Sequence, residues 1–335
     1  MRATVPKTLT LVLAIVLILL LAGGGLLWWR VQDNRPARDA QRQAAADLKS
    51  LQAQVRASSA EASRKDPMLA DLDEQLKALD AGVVEQAAGT QPQATPDLTG
   101  LAASYDDSAA RLLKLSRSEH VDAQGAASLT SMAVAHWLTA RQLTARLVQV
   151  GQPGSAESRA LAELTGVPAV GPLTEDGTCP AGDRDAKAPA ARLAAGWEEA
   201  VWSEQVLRAR AGITGASERA VERADAAQTG HEAQLTQLRE SFGSDCGTLP
   251  APQAGYRVAE SEPGAFVTAQ SRELAGIGYA MLREQLEADA DRDAAWTRFA
   301  VRTLAVETAL QASADLDIPA LPGTCLLYTS PSPRD

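Results

Sequence analysis

Residues 189–212, PAARLAAGWEEAVWSEQVLRARAG, and 217–243, SERAVERADAAQTGHEAQLTQLRESFG, decide the fold. In the first, Leu193, Trp197, Ala200, Glu204, Leu207 and Ala211 follow the alternating three-and-four step of a helical-bundle seam. Val221, Ala224, Gln228, His231, Leu235, Leu238 and Phe242 do the same in the second. Pro189 suits a first helical position, Gly212 an end after the first helix and Gly243 a stop after the second. Each seam is apolar apart from polar residues near its middle: Glu204 on one, Gln228 and His231 on the other.

Two more helices follow from the same reading. One starts near Pro263 and carries Phe266, Leu274, Ile277 and Met281. The other places Trp296, Phe299, Thr303, Val306 and Leu310 inward and ends before Pro319 and Pro322. The stretch from Gly243 to Pro263, with Pro250 and Pro252, is too long for a hairpin turn and is expected to cross the bundle.

Upstream, a second helical set is expected. Leu48, Leu51 and Val55 stripe an Ala-rich helix, and Leu69, Leu72, Leu76, Leu79 and Val83 form a heptad seam on the next. Leu98 to Leu115 and Leu129 to Val150 read as a further pair, with Asp122 as an N-cap and His136 on the inner face. The Gly-, Pro- and Asp-rich residues 166–188 read as a linker. Alanine is abundant and β-branched runs are scarce, so the class is all-α.

The ends differ from this text. From Thr8 to Trp29 there is no charged residue, a run of roughly 33 Å as a helix, which is long enough to cross a bilayer core. Trp28 and Trp29 suit the headgroup layer. A cleavable signal with Ala22-Gly23-Gly24 as its small-residue site is the alternative, but the apolar run continues past that site, which favours a retained anchor. No cysteine follows the run to take a lipid. At the other end, residues 325–335, CLLYTSPSPRD, back-translate into a sequence resembling a library adapter and read as an artefact.

The 335 residues are 45% hydrophobic and 4% aromatic with a net charge of −10, a balance that argues against non-specific nucleic-acid binding. Arg30, Arg35, Arg38 and Arg42 after the anchor would by charge alone keep the body cytoplasmic. The cysteines argue otherwise. Cys179 precedes the first helix of the bundle and Cys246 follows the second, and in a helical hairpin those points return to the same end. A Cys179–Cys246 disulfide is expected, with two unrelated free thiols as the alternative, and it implies an oxidising, extracytoplasmic setting.

The C-terminal half resembles a ferritin-like family of unknown function found in exported and lipid-anchored proteins of high-GC bacteria. The likeness spans about Ala190 to Gly323. It rests on Trp197-Glu-Glu-Ala-Val-Trp-Ser-Glu, Gly230-His-Glu-Ala-Gln-Leu, the connector ending in Tyr256-Arg-Val, Arg298-Phe-Ala-Val-Arg-Thr-Leu, and Ala320-Leu-Pro-Gly. It implies a ferritin-like four-helix fold with no assigned activity; Gly278 departs from the pattern, where a glutamate is usual. The expected organisation is therefore a signal anchor in 1–30, a coiled-coil-like antiparallel helical domain in 31–165, a linker in 166–188, a ferritin-like four-helix bundle in 189–324, and the artefact beyond.

Chemistry is sparse. A di-iron site of this fold needs Glu-x-x-His pairs, and Arg117, Ala133 and Gln228 stand three residues before His120, His136 and His231. Glu198, Glu204 and His231 are the residues left to hold a metal. With a helix ending at Ala211, Glu204 and His231 differ in height by roughly 10 Å, so the expected partner of His231 is Glu198 in a hydrogen bond. His136 reads as a satisfied core histidine, and Trp197 and Trp202 as packing anchors. No phosphate loop or nucleophile signature stands out. The expected function is a non-catalytic structural or binding role in the cell envelope, without cofactor, anchored through residues 8–29, with the N-terminal helices available for self-association or a protein partner.

Overall fold

A computed structural model describes residues 35–324 apart from 93, 174–178, 181–187, 244–245, 259–261, 289–291, 293 and 316–317. The expected anchor and the 325–335 tail lie outside the described residues. Among the described residues no helix is long and apolar enough to cross a membrane.

The described residues form α-helices and one 3-10 turn, with no strand among them, in agreement with the all-α reading. They run α1 (Arg35–Ala57), α2 (Ala62–Lys77), α3 (Ala81–Gln86), α4 (Leu98–Ser116), α5 (Ala123–Leu143), the 3-10 turn Val148–Gly151, α6 (Ala156–Thr165), α7 (Pro189–Thr214), α8 (Glu218–Ser241), α9 (Pro263–Glu287) and α10 (Ala295–Asp315). Short polar caps start several of them. Asp97, Asp122, Ser155 and Ser217 each accept a backbone N–H from the first turn that would otherwise lack a partner.

Three boundaries differ from the sequence reading. The 69–83 seam, expected on one helix, is split between α2, which ends at Lys77, and α3, which begins at Ala81 behind the Asp80 cap. The helix expected to reach Val150 stops at Leu143, where Ala145 takes a positive φ of 58° and the chain continues as the 3-10 turn. The helix expected to end before Gly212 runs on to Thr214, and Gly215, at φ 70°, supplies the left-handed cap. Gly212 is simply carried within the last turn.

Helices α7 and α8 form one hairpin, α9 and α10 a second, and α9 packs on both members of the first. Gly278 marks the close approach of α9 to α10: a Cβ there would lie 3.1 Å from Thr303 Cγ2 and 3.3 Å from the Leu304 amide nitrogen. A glutamate at 278 would therefore force the two helices apart. Cys179 and Cys246 are joined in a disulfide, the expected pairing of the two, with Cα atoms 5.2 Å apart.

One apolar core runs through both halves of the chain. It includes Leu48, Leu72, Leu112 and Leu138 from the first helical set and Leu193, Leu238, Leu274 and Phe299 from the second. The heptad seam of 69–83 is turned into that core, with Leu72, Leu79 and Val83 buried and Leu69 and Leu76 packed against it. Helix α10 sits in the middle. From Trp296 to Ser313 every residue except Arg298 is buried, because α9 and α8 cover one side while α5, α6 and the 3-10 turn cover the other. The segment after α10 returns to the first helices, where Gln75 Nε2 donates to the Ala320 carbonyl at 2.9 Å and Ser131 Oγ to the Pro322 carbonyl at 2.8 Å.

Candidate functional site

The polar centre of the C-terminal bundle is built from three helices. His231 on α8 lies between two carboxylates: its Nδ1 is 3.1 Å from Oε1 and 3.2 Å from Oε2 of Glu204 on α7, and its Nε2 is 3.1 Å from Oε2 of Glu307 on α10. The other oxygen of Glu307 accepts two hydrogen bonds at 2.8 Å, from Trp197 Nε1 and Gln234 Nε2. Glu204, His231, Glu307 and Trp197 are all 0% exposed, so the cluster has no route to solvent in this conformation.

The expected Glu198–His231 hydrogen bond does not form. Glu198, itself buried, turns instead to Arg239, from which it accepts, and lies 3.5 Å from the Tyr256 hydroxyl. The height argument failed with the helix end. Glu204 lies ten residues before Thr214 (214 − 204) and His231 thirteen after Glu218 (231 − 218), which leaves only about 4.5 Å at 1.5 Å per residue. Two long side chains close that gap. Gln228, the other polar seam residue, points outward and accepts from Arg208 at 2.5 Å while donating to Glu232 at 2.7 Å.

Glu307 escaped the sequence reading. It sits beside Val306, off the seam traced on that helix, and that seam presupposes one buried face. Because α10 is buried all round, a residue off the seam still points into protein.

A neutral imidazole donates one hydrogen bond, whereas both ring nitrogens of His231 face carboxylate oxygens. The imidazolium satisfies both. Burial alone would lower the pKa of His231, but the charges of Glu204 and Glu307 overcome it and hold the ring well above its usual value. Burial raises the Glu204 carboxyl, and the His231 charge offsets only part of that rise. The cluster is a salt-bridged tie across α7, α8 and α10. Breaking such a buried tie by removing one partner typically costs about 3–5 kcal/mol.

The same geometry bears on metal binding. The two carboxylates occupy different ring nitrogens, whose lone-pair directions diverge, so they do not converge with the imidazole on one point. Among the described residues no group of three or more His, Cys, Asp or Glu side chains is placed to hold a metal ion. Gly230, next to His231 in the chain, faces the 3-10 turn. A Cβ there would meet the Gly151 carbonyl oxygen at 2.9 Å, so the 3-10 turn presses its backbone directly on α8.

The second buried histidine is satisfied, as expected of a core residue. His136 Nδ1 is 2.8 Å from Ser108 Oγ and Nε2 is 2.8 Å from Gln75 Oε1. Its edge meets the Tyr105 ring at 5.2 Å. Burial and, behind it, the Arg111 charge push the ring down to about 3. Ser108 Oγ also bonds Asp47 Oδ2, and Arg111 Nε donates to the other oxygen of Asp47 at 2.7 Å. This Asp–Ser–His row is not a nucleophilic triad. The carboxylate sits on the hydroxyl instead of orienting the imidazole, and Ser108 is 0% exposed.

The tryptophans serve as packing anchors. Trp197 meets Phe299 edge-on at 6.2 Å, Phe299 meets Trp296 at 5.7 Å, and Trp296 meets Phe242 at 6.4 Å. Trp202 lies 6.0 Å from Tyr256 of the crossing connector. A cleft of about 360 Å³ opens at the first turn of α9, lined by Arg223, Glu262, Thr268 and Arg272. In it Arg223 donates through Nη1 to the Ser313 carbonyl at 3.2 Å, Glu262 caps the Ala265 amide at 2.5 Å and Thr268 donates to the Gly264 carbonyl at 3.0 Å.

Comparison with known proteins adds no identity: no family model, no curated protein and no solved structure matches this chain.

Proposed function

We propose that this chain is an anchored, extracytoplasmic helical protein with a non-catalytic structural or binding role in the cell envelope. The observation that carries the reading is the use made of its chemistry-bearing side chains. Glu204, His231 and Glu307 turn to one another, to Trp197 and to Gln234 inside a core that is closed to solvent, with Glu204 Oε1 left only its ion-pair contact to His231. The Cys179–Cys246 bridge supports an oxidising compartment, since such bonds are rare in the cytosol. Residues 8–29 would hold the body at the membrane. Because the 69–83 seam is used internally, self-association or a protein partner would engage the outer faces of the N-terminal helices.

Labelling Cys179 and Cys246 in intact cells, before and after reduction, tests the reading. Thiols that react only after reduction support it. Thiols that are free and unreachable until lysis would place the body in the cytoplasm and end the envelope role.

One observation favours a second reading. Glu204, His231 and Glu307 meet from three helices at the centre of the bundle, where a ferritin-like protein would hold a metal or a small ligand. In this reading the cluster is the remnant of such a centre, and the ferritin-like resemblance of 190–323 is a true kinship. The Gly278 contact and the diverging carboxylates weigh against a working site.

A further inference from the structure

Where the two helical sets meet, positive charge gathers without an acidic partner. Arg302 on α10 is 4% exposed, and its guanidinium makes one hydrogen bond, from Nη2 to the Ala169 carbonyl at 3.2 Å. Its Nε and Nη1 are buried and have no hydrogen-bond partner among the described residues. Burial pushes its pKa down to about 10, and no described carboxylate offsets the fall. Arg298 stands one turn earlier on α10 and leaves the helix on the same side. It lies against Gly166 at the carbonyl end of α6, and its Nε is likewise buried without a partner.

Buried charge of this kind is costly unless it is paired. A guanidinium keeps its charge at any ordinary pH, and the carbonyls of Ala169 and of the α6 end bring partial charges alone. A cavity of about 20 Å³ opens beside Arg298, walled by α4, α5 and α6 on one side and by α9 and α10 on the other. Two more guanidiniums line it, those of Arg117 and Arg292. Arg292 donates to the carbonyls of Ser116 at 3.0 Å, Ser118 at 2.7 Å and Val121. Thr165 on the same wall is spent, since its hydroxyl donates to the Leu161 carbonyl at 2.8 Å and accepts the Val167 amide at 3.3 Å. Thr297 is not: it is 3% exposed, lines the cavity, and its hydroxyl has no partner among the described residues. None of the described lining residues is acidic.

We propose that this cavity is a binding site for a halide ion, chloride in the protein's natural setting, with Arg298 Nε and the Thr297 hydroxyl as its donors. The surrounding guanidiniums of Arg117, Arg292 and Arg302 supply the positive field that selects an anion over a cation. The volume is about that of one water molecule, which admits a monatomic ion and excludes phosphate, sulfate and carboxylate-bearing ligands. A water there would satisfy the hydroxyl but leave the charge unbalanced. Because the walls come from both helical sets, the bound ion fastens the N-terminal helices to the C-terminal bundle.

Two measurements on the full chain test this. Crystals grown with bromide as the sole halide should show an anomalous peak in the cavity, within hydrogen-bonding reach of Arg298 Nε. Melting in sodium chloride and in sodium gluconate of equal ionic strength should diverge. Once chloride exceeds its dissociation constant, each further tenfold should raise Tm by about 2 °C relative to gluconate. Arg298→Gln should remove that divergence, whereas a purely structural arginine would lower both curves alike. Thr297→Val keeps the shape but deletes one donor to an ion, and should move the chloride dependence to roughly tenfold higher concentration or beyond. Density in the cavity without anomalous signal would mark a water and overturn the proposal. So would a chloride-against-gluconate difference that is the same in wild type and in both variants.

Discussion

Stability should fall as pH rises through and above neutrality, and His231 should be the cause. The folded pKa of His231 is held well above its unfolded value of about 6.5 by Glu204 and Glu307. A group of this kind binds its proton more tightly in the folded state, so its stabilisation is complete below about pH 6.5 and is lost as pH climbs toward the folded pKa. Within that window the slope for one proton is about 1.4 kcal/mol per pH unit. Followed between pH 6.5 and 8.5, that slope is on the order of 2 °C in Tm per pH unit for a chain of this size. Glu204, whose carboxyl is raised by burial, adds a fall of the same sign at lower pH. The assay is a set of calorimetric melts across this range on wild type and on His231→Gln. The difference between the two pH profiles isolates the imidazole: His231→Gln should be less stable at pH 6.5 and much flatter above it. A wild-type profile that is level from pH 6.5 to 8.5, or a His231→Gln profile with the same slope, would refute the imidazolium between two carboxylates.

Other consequences follow from particular contacts. Trp197→Phe keeps most of the packing but removes the indole donor from Glu307, and should lower stability by about 1.5–3 kcal/mol in denaturant melts, with a smaller loss when Glu307→Gln is already present. Gly278→Glu should cost about 3 kcal/mol or more, because α9 and α10 approach too closely for a Cβ to fit unstrained, while Gly278→Ala should cost clearly less. Cys179→Ser with Cys246→Ser opens a loop of sequence separation 67 and should lower stability by up to about 4 kcal/mol, with reductant leaving the variant's melting unchanged.

What could be read from the sequence was what repeats. The seams of 193–211 and 221–242, the cap at Asp122, the inward His136 and the returning ends that carry Cys179 and Cys246 all follow from local periodicity and turn chemistry. The centre itself was hidden by two particulars. A three-residue error at the end of α7, Gly212 in place of Gly215, shifts heights by about 4.5 Å and was enough to give His231 the wrong carboxylate. Glu307 lay off a seam that assumed a solvent-facing side, and the enclosure of α10 by the N-terminal helices exists only in three dimensions. Asp47, Ser108 and Gln75 are likewise polar residues on Ala-rich or heptad helices, where nothing in the spacing separates a buried partner of His136 from a solvated face.

The most direct test of the central claim, that the bundle's polar cluster is an internal tie and not a ligand site, is the metal content of protein purified without chelator, with melting repeated in the presence of one. The account predicts no stoichiometric iron or manganese and an unchanged Tm. Stoichiometric metal that stabilises the fold and disappears in His231→Ala would contradict it.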